Sequence, residues 1–552
     1  MKADKLDVLL VLPPMYQTGR TPDYNPKEPM GLMYLAAELR RRGLRAEILD
    51  ADLQALTIEE TVGEIIARPA VVIGFSVLQR ALPSLKVIIE RLREHRLKSH
   101  ICCGGVGATL SAIHLLDRLP DIDSVVLGDG ELTLADLTEH IKYGYGWQQV
   151  PGLAYRGFGG INFNEQPIKP DLDELLPPVR DILPTCLGKT NYATIVGSRG
   201  CYGGCTFCSN SSFERHASGP KWRGRNPLSI VDEIELLHRE YGVRAVKFND
   251  PNLFGPGRRG QQHVETMCQE LIRRGLNDRL SLMAFTRASD LTRANCRLLR
   301  QAGFERMLIG IETFVPRVLQ LLHKGETAEQ IRFGISCLQS AGISVVPGFI
   351  IFNPYTTFDS LEHDLGLLDH YRFAVLLSKS MRIFDGTALQ RIMLEEGRLH
   401  RRDPFVGYHE YTVDRSVAAV YGCLKEVAVH WLRPLTQRYQ DKFWEIKKGS
   451  TFVSRTGYYS IQHLIYSLES GLLRRLIAWV RSGQAEEASV TKALDQSRSL
   501  LRDLENFYVG TDDNVERLTD SFSTSCLVRS VREILREQPY ESFPEKYRWA
   551  ND

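Results

Sequence analysis

The strongest constraint on the fold is an alternation that the chain runs through twice. Short apolar runs at residues 6–12, 45–49, 70–75, 100–103 and 124–127 are separated by helix-like stretches. The clearest of these is 31–42, where Leu32, Leu35, Ala36 and Leu39 recur at i, i+3, i+4 and i+7 and Gly43 stands where the helix ends. Strands alternating with helices predict a parallel sheet covered on both faces. The second series has strand candidates at 193–196, 243–248, 280–285, 305–311, 343–351 and 375–383. Six β/α units suit an open, partial (β/α)6 barrel of the TIM type, with ligands at the C-terminal ends of the strands. Past about residue 401 the strand signals fade and helical spacing takes over, as in Ile461, Leu464, Ile465, Leu468, Leu472 and Leu476. The expected fold class is therefore α/β: an N-terminal doubly wound parallel sheet over 1–145, a linker over 146–185, the barrel over 186–400 and an α-helical domain over 401–552. The linker is rich in proline and glycine, and 152–156 with 160–163 read as a small hairpin.

At 552 residues the chain exceeds what one core organises. Its 69 basic residues nearly balance 67 acidic ones, which argues against nucleic acid as a partner. The apolar run 8–12 meets Pro13 and Pro14 at once, too short for a signal segment or a membrane span. The expected location is cytoplasmic, where thiols stay reduced, so the eleven cysteines read as metal ligands or core residues. Cys102 and Cys103 end a buried strand, and Cys268, Cys296 and Cys337 fall on helical core faces.

Three cysteines differ from the rest. The segment 197–208, Gly-Ser-Arg-Gly-Cys-Tyr-Gly-Gly-Cys-Thr-Phe-Cys, sets Cys201, Cys205 and Cys208 on a glycine-rich loop directly after a strand. Soft thiolates at that density select zinc or iron–sulfur. With no fourth cysteine or histidine nearby, one metal position stays open, as a catalytic site requires. The other reading is a structural zinc site completed by a distant ligand.

The Cys-x-x-x-Cys-x-aromatic-Cys run, preceded by Ser-Arg-Gly, resembles the signature of radical S-adenosylmethionine enzymes. The resemblance implies a 4Fe-4S cluster on Cys201, Cys205 and Cys208, with Phe207 beside it and the open iron chelated by S-adenosylmethionine. One electron from the cluster then cleaves the sulfonium, giving methionine and a 5′-deoxyadenosyl radical that abstracts a substrate hydrogen. The segment 221–227 resembles the basic stretch leading into the first barrel helix. Asn249 and Asp250, ending the second strand, resemble the motif that receives the methionine amino group. Glu312, ending the fourth strand, resembles the ribose-contacting position, Ile350 lies in a strip resembling the one that flanks the adenine, and Arg287 past the third strand is a further candidate. Residues 386–389 resemble the segment that closes the barrel.

The N-terminal sheet is similar to the Rossmann-like cobalamin-binding domain that precedes the barrel in one large class of these enzymes. The implied corrin contacts are Pro14, Met15 and Tyr16 after the first strand, Ser76 and Leu78 after the third, Gly104 and Gly105 after the fourth, and Gly128, Gly130 and Glu131 after the fifth. The loop 13–19 lacks the Asp-x-His-x-x-Gly pattern, and no histidine precedes His95, so cobalamin with no histidine on the lower cobalt face is expected.

The activity this implies is a cobalamin-dependent radical methyltransferase that methylates an unactivated carbon of a specialised-metabolism substrate through the deoxyadenosyl radical and methylcobalamin. A non-methylating rearrangement, ring contraction or cyclisation with the same cofactors is the alternative, and a non-catalytic iron–sulfur or corrin carrier is a third reading. The partners implied are a small-molecule or peptide substrate and an external one-electron reductant of flavodoxin or ferredoxin type, with neither nucleic acid nor a membrane span.

Overall fold

A computed structural model of the protein describes residues 5–15, 28–190, 192–400, 405, 408–428 and 456–482. They form two compact units, Met1–Ile309 with Leu322–Val346 and Arg382–Glu410, and Gly310–Leu321 with Pro347–Met381 and Tyr411–Asp552. Tyr16 and most of 401–552 lie outside the described residues.

The first unit opens with β1 (Leu6–Leu12), β2 (Ala46–Asp50), β3 (Ala70–Ser76), β4 (His100–Gly104) and β5 (Ser124–Val126), followed by β6 (Leu153–Gly157) and β7 (Gly160–Phe163). They make one seven-stranded sheet in the order β2-β1-β3-β4-β5-β6-β7, parallel through β5. The hairpin read in the linker forms, and β6 pairs antiparallel with β5. The pleat explains why β1 is apolar throughout. Leu9 and Val11 face one core with Ile73, Phe75, Ile101 and Cys103. Val8, Leu10 and Leu12 face the other with Val72, Cys102 and Val126. The helix Met30–Arg41 covers the second face through Leu32, Ala36 and Leu39, and Gly43 follows it with φ +74°.

The cysteine-bearing half begins with β8 (Ala193–Ile195), β9 (Ser198–Gly200) and β10 (Trp222–Gly224), then β11 (Ala245–Phe248), β12 (Ser281–Thr286), β13 (Phe304–Glu312) and β14 (Ser344–Phe349). Five of these form a sheet in sequential order, β8-β11-β12-β13-β14. Helices Pro227–Tyr241, Gly257–Arg273, Arg293–Gln301 and Ala328–Ser340 connect them. Cys268, Cys296 and Cys337 are buried on those helices, as their spacing predicts.

The sixth strand expected at 375–383 is reduced to a single parallel bridge, Phe352 to Ser380. Its backbone groups find other partners, since Leu377 N–H donates to Glu469 Oε2 and Met381 N–H to Phe352 O. In the second unit the helix Thr456–Ser482 carries the predicted C-terminal periodicity, and its Tyr466 and Arg474 hold Asp369 of the helix Phe358–Tyr371. Among the described residues no helix is long and apolar enough to cross a membrane.

Candidate functional site

In a doubly wound sheet the ligand crevice opens where connections leave neighbouring strands toward opposite faces. Here that point lies between β1 and β3, and the first unit holds a cavity of about 290 Å³ there. The sheet side of its lining includes Ser76, Gly104, Gly105, Gly128, Gly130 and Glu131, all read from the sequence as corrin contacts. The lining also includes Met30, Tyr34 and Leu35 of the first helix, Ser198, Arg199 and Gly200 of β9, and Asn249 after β11.

The sheet-side rim is built close to its own backbone. A Cβ on Gly107 would stand 2.6 Å from Val77 O and 2.7 Å from Gln79 N, so the loops after β3 and β4 touch main chain to main chain. Pro14 is buried and Met15 donates its N–H to Asp52 Oδ1, and neither lines this cavity, nor does Leu78.

The cysteine loop is stapled at its base. β9 and β10 pair antiparallel, with Gly200 opposite Trp222, so 201–221 is a closed excursion. Gly200 has φ +80°, and a Cβ there would collide with Lys221 O, which makes glycine obligatory immediately before Cys201. The three thiols are half-buried, unlike the buried Cys102, Cys103, Cys186, Cys268, Cys296 and Cys337. Gly203 N–H points at Cys201 Sγ at 3.4 Å.

Arg287 extends from the end of β12 to the same loop, with Nη1 3.9 Å from Cys205 Sγ. Its other amine donates to Lys324 O at 2.6 Å, and Glu326, whose side chain is fully buried, lies 3.5 Å from Arg287 and 3.2 Å from Lys324 Nζ. Thr206 fixes the middle of the loop through its N–H on Leu322 O. Phe207 is half-buried in the loop. Burial pushes the Cys201 thiol up against the opposing pull of Gly203 N–H and Arg287, a penalty on the thiolate that a bound metal cation would offset.

Asn249 and Asp250 have separate fates. Asn249 is exposed and lines the cavity. The Asp250 carboxylate turns the other way, 1% exposed, accepting from Gly197 N at 2.9 Å and Ser198 Oγ at 2.7 Å. Burial lifts it to about 7 despite those hydrogen bonds. Both Asp250 carboxylate oxygens are thus engaged with the strand that leads into Cys201, and Asp250 does not line the cavity where the methionine amino group was expected to meet it.

Glu312 and Ile350 belong to the second unit. Glu312 is a non-glycine residue at φ +63°, a conformation that costs energy and recurs at ligand-binding positions. Ile350 N–H donates to its carbonyl at 2.9 Å, and Asp364 clamps the next turn by accepting from Thr313 Oγ1 and Phe314 N at 2.7 and 2.8 Å.

Two buried ion networks escaped the sequence reading. Arg199 Nη2 bonds Glu131 Oε1 at 2.6 Å and its guanidinium lies 4.9 Å from the Tyr34 ring centroid. Asp129 is held by Arg223 at 2.6 Å and Arg199 at 3.3 Å, and although burial alone would raise its carboxyl, these two cations keep it below the usual range. Glu233 joins Arg180 and Arg225 at 2.6 and 2.5 Å, and Arg180 also meets Glu28 at 2.7 Å. The arginine of the Ser-Arg-Gly run was the one signal pointing to the first network.

Comparison with known proteins agrees with this anatomy. Residues 24–138 match the model of the B12 binding domain and residues 195–368 that of the radical SAM superfamily. An uncharacterized methyltransferase of Pyrococcus horikoshii is 26% identical over 361 residues, covering 65% of this chain and 76% of that protein. The anaerobic magnesium-protoporphyrin IX monomethyl ester cyclase of Synechocystis is 28% identical over 347 residues, covering 61% and 67%. In fold, the solved structure of the cobalamin-dependent S-adenosylmethionine radical enzyme OxsB with aqua-cobalamin bound superposes with a TM-score of 0.67 at 20% identity, covering 96% of this chain and 84% of that one.

A B12-binding domain followed by a radical SAM domain defines the class. The chain belongs to the cobalamin-binding radical S-adenosylmethionine family. The cofactors of that class are cobalamin, a 4Fe-4S cluster and S-adenosylmethionine, and the residues present fit them. The glycine-rimmed crevice at the strand ends suits a large flat ligand. Three half-buried thiols ringed by a backbone N–H and a guanidinium suit a cluster. Among the described residues no three His, Cys, Asp or Glu side chains converge on a single ion, and a cube that takes one thiolate at each of three corners does not ask them to.

Proposed function

We propose that this chain is a cobalamin-dependent radical S-adenosylmethionine methyltransferase acting on an unactivated carbon of a small-molecule or peptide substrate, in specialised metabolism. The observation that carries the reading is the cavity itself. Its lining runs from the loops after β3, β4 and β5 to β9, the strand that delivers Cys201, so the corrin crevice and the cluster loop share one wall. Such proximity is what transfer between two cofactors demands. In this reading Cys201, Cys205 and Cys208 hold the cluster with Phe207 beside them. Arg287 sets the charge next to Cys205. Asn249 faces the methionyl end of S-adenosylmethionine, Glu312 its ribose and Ile350 its adenine. Ser76, Gly104, Gly105, Gly128, Gly130 and Glu131 would receive the corrin, and no histidine is among the described residues that line the crevice. When bound, the cluster supplies one electron, drawn from an external flavodoxin or ferredoxin, and the corrin supplies a methyl group.

The Pyrococcus relative's designation as a methyltransferase supports methyl transfer, while the cyclase relative keeps a non-methylating reaction as the second reading. Anaerobic protein reconstituted with iron, sulfide and cobalamin, then reduced and given S-adenosylmethionine with a deuterated methyl group, separates the two. A deuterated methyl group on the extracted corrinoid is the expected outcome. Cleavage to methionine and 5′-deoxyadenosine with an unlabelled corrinoid would transfer the assignment to the second reading.

A further inference from the structure

Glu131 is the first residue of the helix Glu131–Tyr143, 4% exposed, on the lining of the cavity. Its two oxygens are unequal. Oε1 accepts from Arg199 Nη2 at 2.6 Å. Oε2 is shielded from solvent, and among the described residues no donor reaches it. A buried carboxylate oxygen without a donor is costly and rare in a folded protein, so its partner is to be sought in whatever fills the cavity.

The surroundings restrict what that partner is. Gly130 and Gly128 remove side chains from the turn before the helix, while Leu10, Leu35, Val126 and Leu134 supply an apolar wall. Arg199 already sits on Oε1, and Arg223 is committed to Asp129 and Pro170 O. What the site lacks is a neutral hydrogen-bond donor brought by a flat, largely apolar ligand. A corrinoid carries such donors as carboxamide groups around its rim.

We propose that Glu131 is a specificity-determining residue that accepts a hydrogen bond from one peripheral carboxamide of the corrinoid and thereby selects the fully amidated cofactor over forms carrying a carboxylate at that position. A carboxylate there brings no donor and sets a second negative charge against Oε2. Arg199 holds Glu131 in place and is a positioning residue. The inference rests on the reading of this cavity as the corrin site.

The test is equilibrium binding of cobalamin and of its singly hydrolysed b-, d- and e-monocarboxylates to the full-length chain and to Glu131→Gln, at pH 8, followed by absorbance. Wild type is expected to bind at least one monocarboxylate roughly 10- to 100-fold more weakly than cobalamin. Glu131→Gln keeps an acceptor for Arg199 and offers an amide donor to the ligand, so for that isomer the discrimination should collapse to near unity or invert. Identical binding ratios in the two proteins would overturn the role of Glu131 while leaving the corrin site intact. Failure of wild type to bind any of the four corrinoids would overturn the site and the inference together. An unchanged melting temperature and an unchanged iron content after reconstitution establish that the variant is folded, and Glu131→Asp, which keeps the charge but withdraws it, should retain the preference against carboxylates.

Discussion

Replacing Asp250 with asparagine should change how stability depends on pH, with a size set by the surroundings of the carboxyl. Burial raises the group from 3.8 to about 7, against the hydrogen bonds of Ser198 and Gly197 and the attraction of Arg225. Between those two values the folded chain keeps a proton that the unfolded chain has released. Stability from this group is therefore complete below about pH 4, falls as pH rises toward 7, and is level above. The slope is about 1.4 kcal/mol per pH unit, and the total about 4 kcal/mol. Asparagine does not ionise and lacks the slope. Its amide oxygen can take Gly197 N–H while Ser198 rotates to accept from the amide nitrogen, at a local cost of about 1 kcal/mol. From pH 5 to pH 8 the stability of Asp250→Asn relative to wild type should therefore climb by about 3 kcal/mol, leaving the variant the more stable protein at pH 8. Urea midpoints of both proteins at pH 5, 6, 7 and 8, followed by circular dichroism, measure it. Parallel profiles would mean that Asp250 titrates alike in the folded and unfolded chains, contrary to this expectation.

Three other perturbations bear on the architecture. Gly107→Ala sets a Cβ against Val77 O and Gln79 N, and because main chain cannot rotate aside, the variant should lose about 1–3 kcal/mol and melt several degrees lower by scanning calorimetry, with weakened cobalamin retention. Arg287→Met withdraws a cation 3.9 Å from Cys205 Sγ and should lower the cluster's reduction potential by about 60 mV, roughly 1.4 kcal/mol for one electron, in an EPR-monitored redox titration. Glu233→Ala leaves Arg180 and Arg225 buried without their shared carboxylate and should cost about 3–5 kcal/mol by urea denaturation.

Much of the fold was readable because its signals are local. The apolar run of β1, the repeat in Met30–Arg41 and Gly43 behind it report pleat, pitch and helix end directly. The cysteine loop was equally plain, since three thiols within eight residues need nothing distant to be seen. The sixth strand misled because 375–383 has the composition of a strand while its backbone is claimed by Glu469 and Phe352. Arg199 and Glu131 are 68 positions apart, and periodicity says nothing about such a pair. Asp250 looked like a ligand because it ends a strand, where alternation stops and no pattern tells which way a side chain turns. Glu312 was singled out by resemblance alone, and the left-handed backbone it adopts is a feature no sequence pattern announced.

In the proposed function one protein holds a corrin and an iron–sulfur cluster against a common wall. The most direct measurement is the absorption and EPR spectrum of the full chain, purified anaerobically with cobalamin present and stripped of loose cofactor, with iron and corrinoid quantified. About one corrinoid and about four irons per chain are expected, with the cluster lost and the corrinoid kept in Cys205→Ala. A cluster without retained corrinoid, or a corrinoid in a protein that builds no cluster, would contradict it.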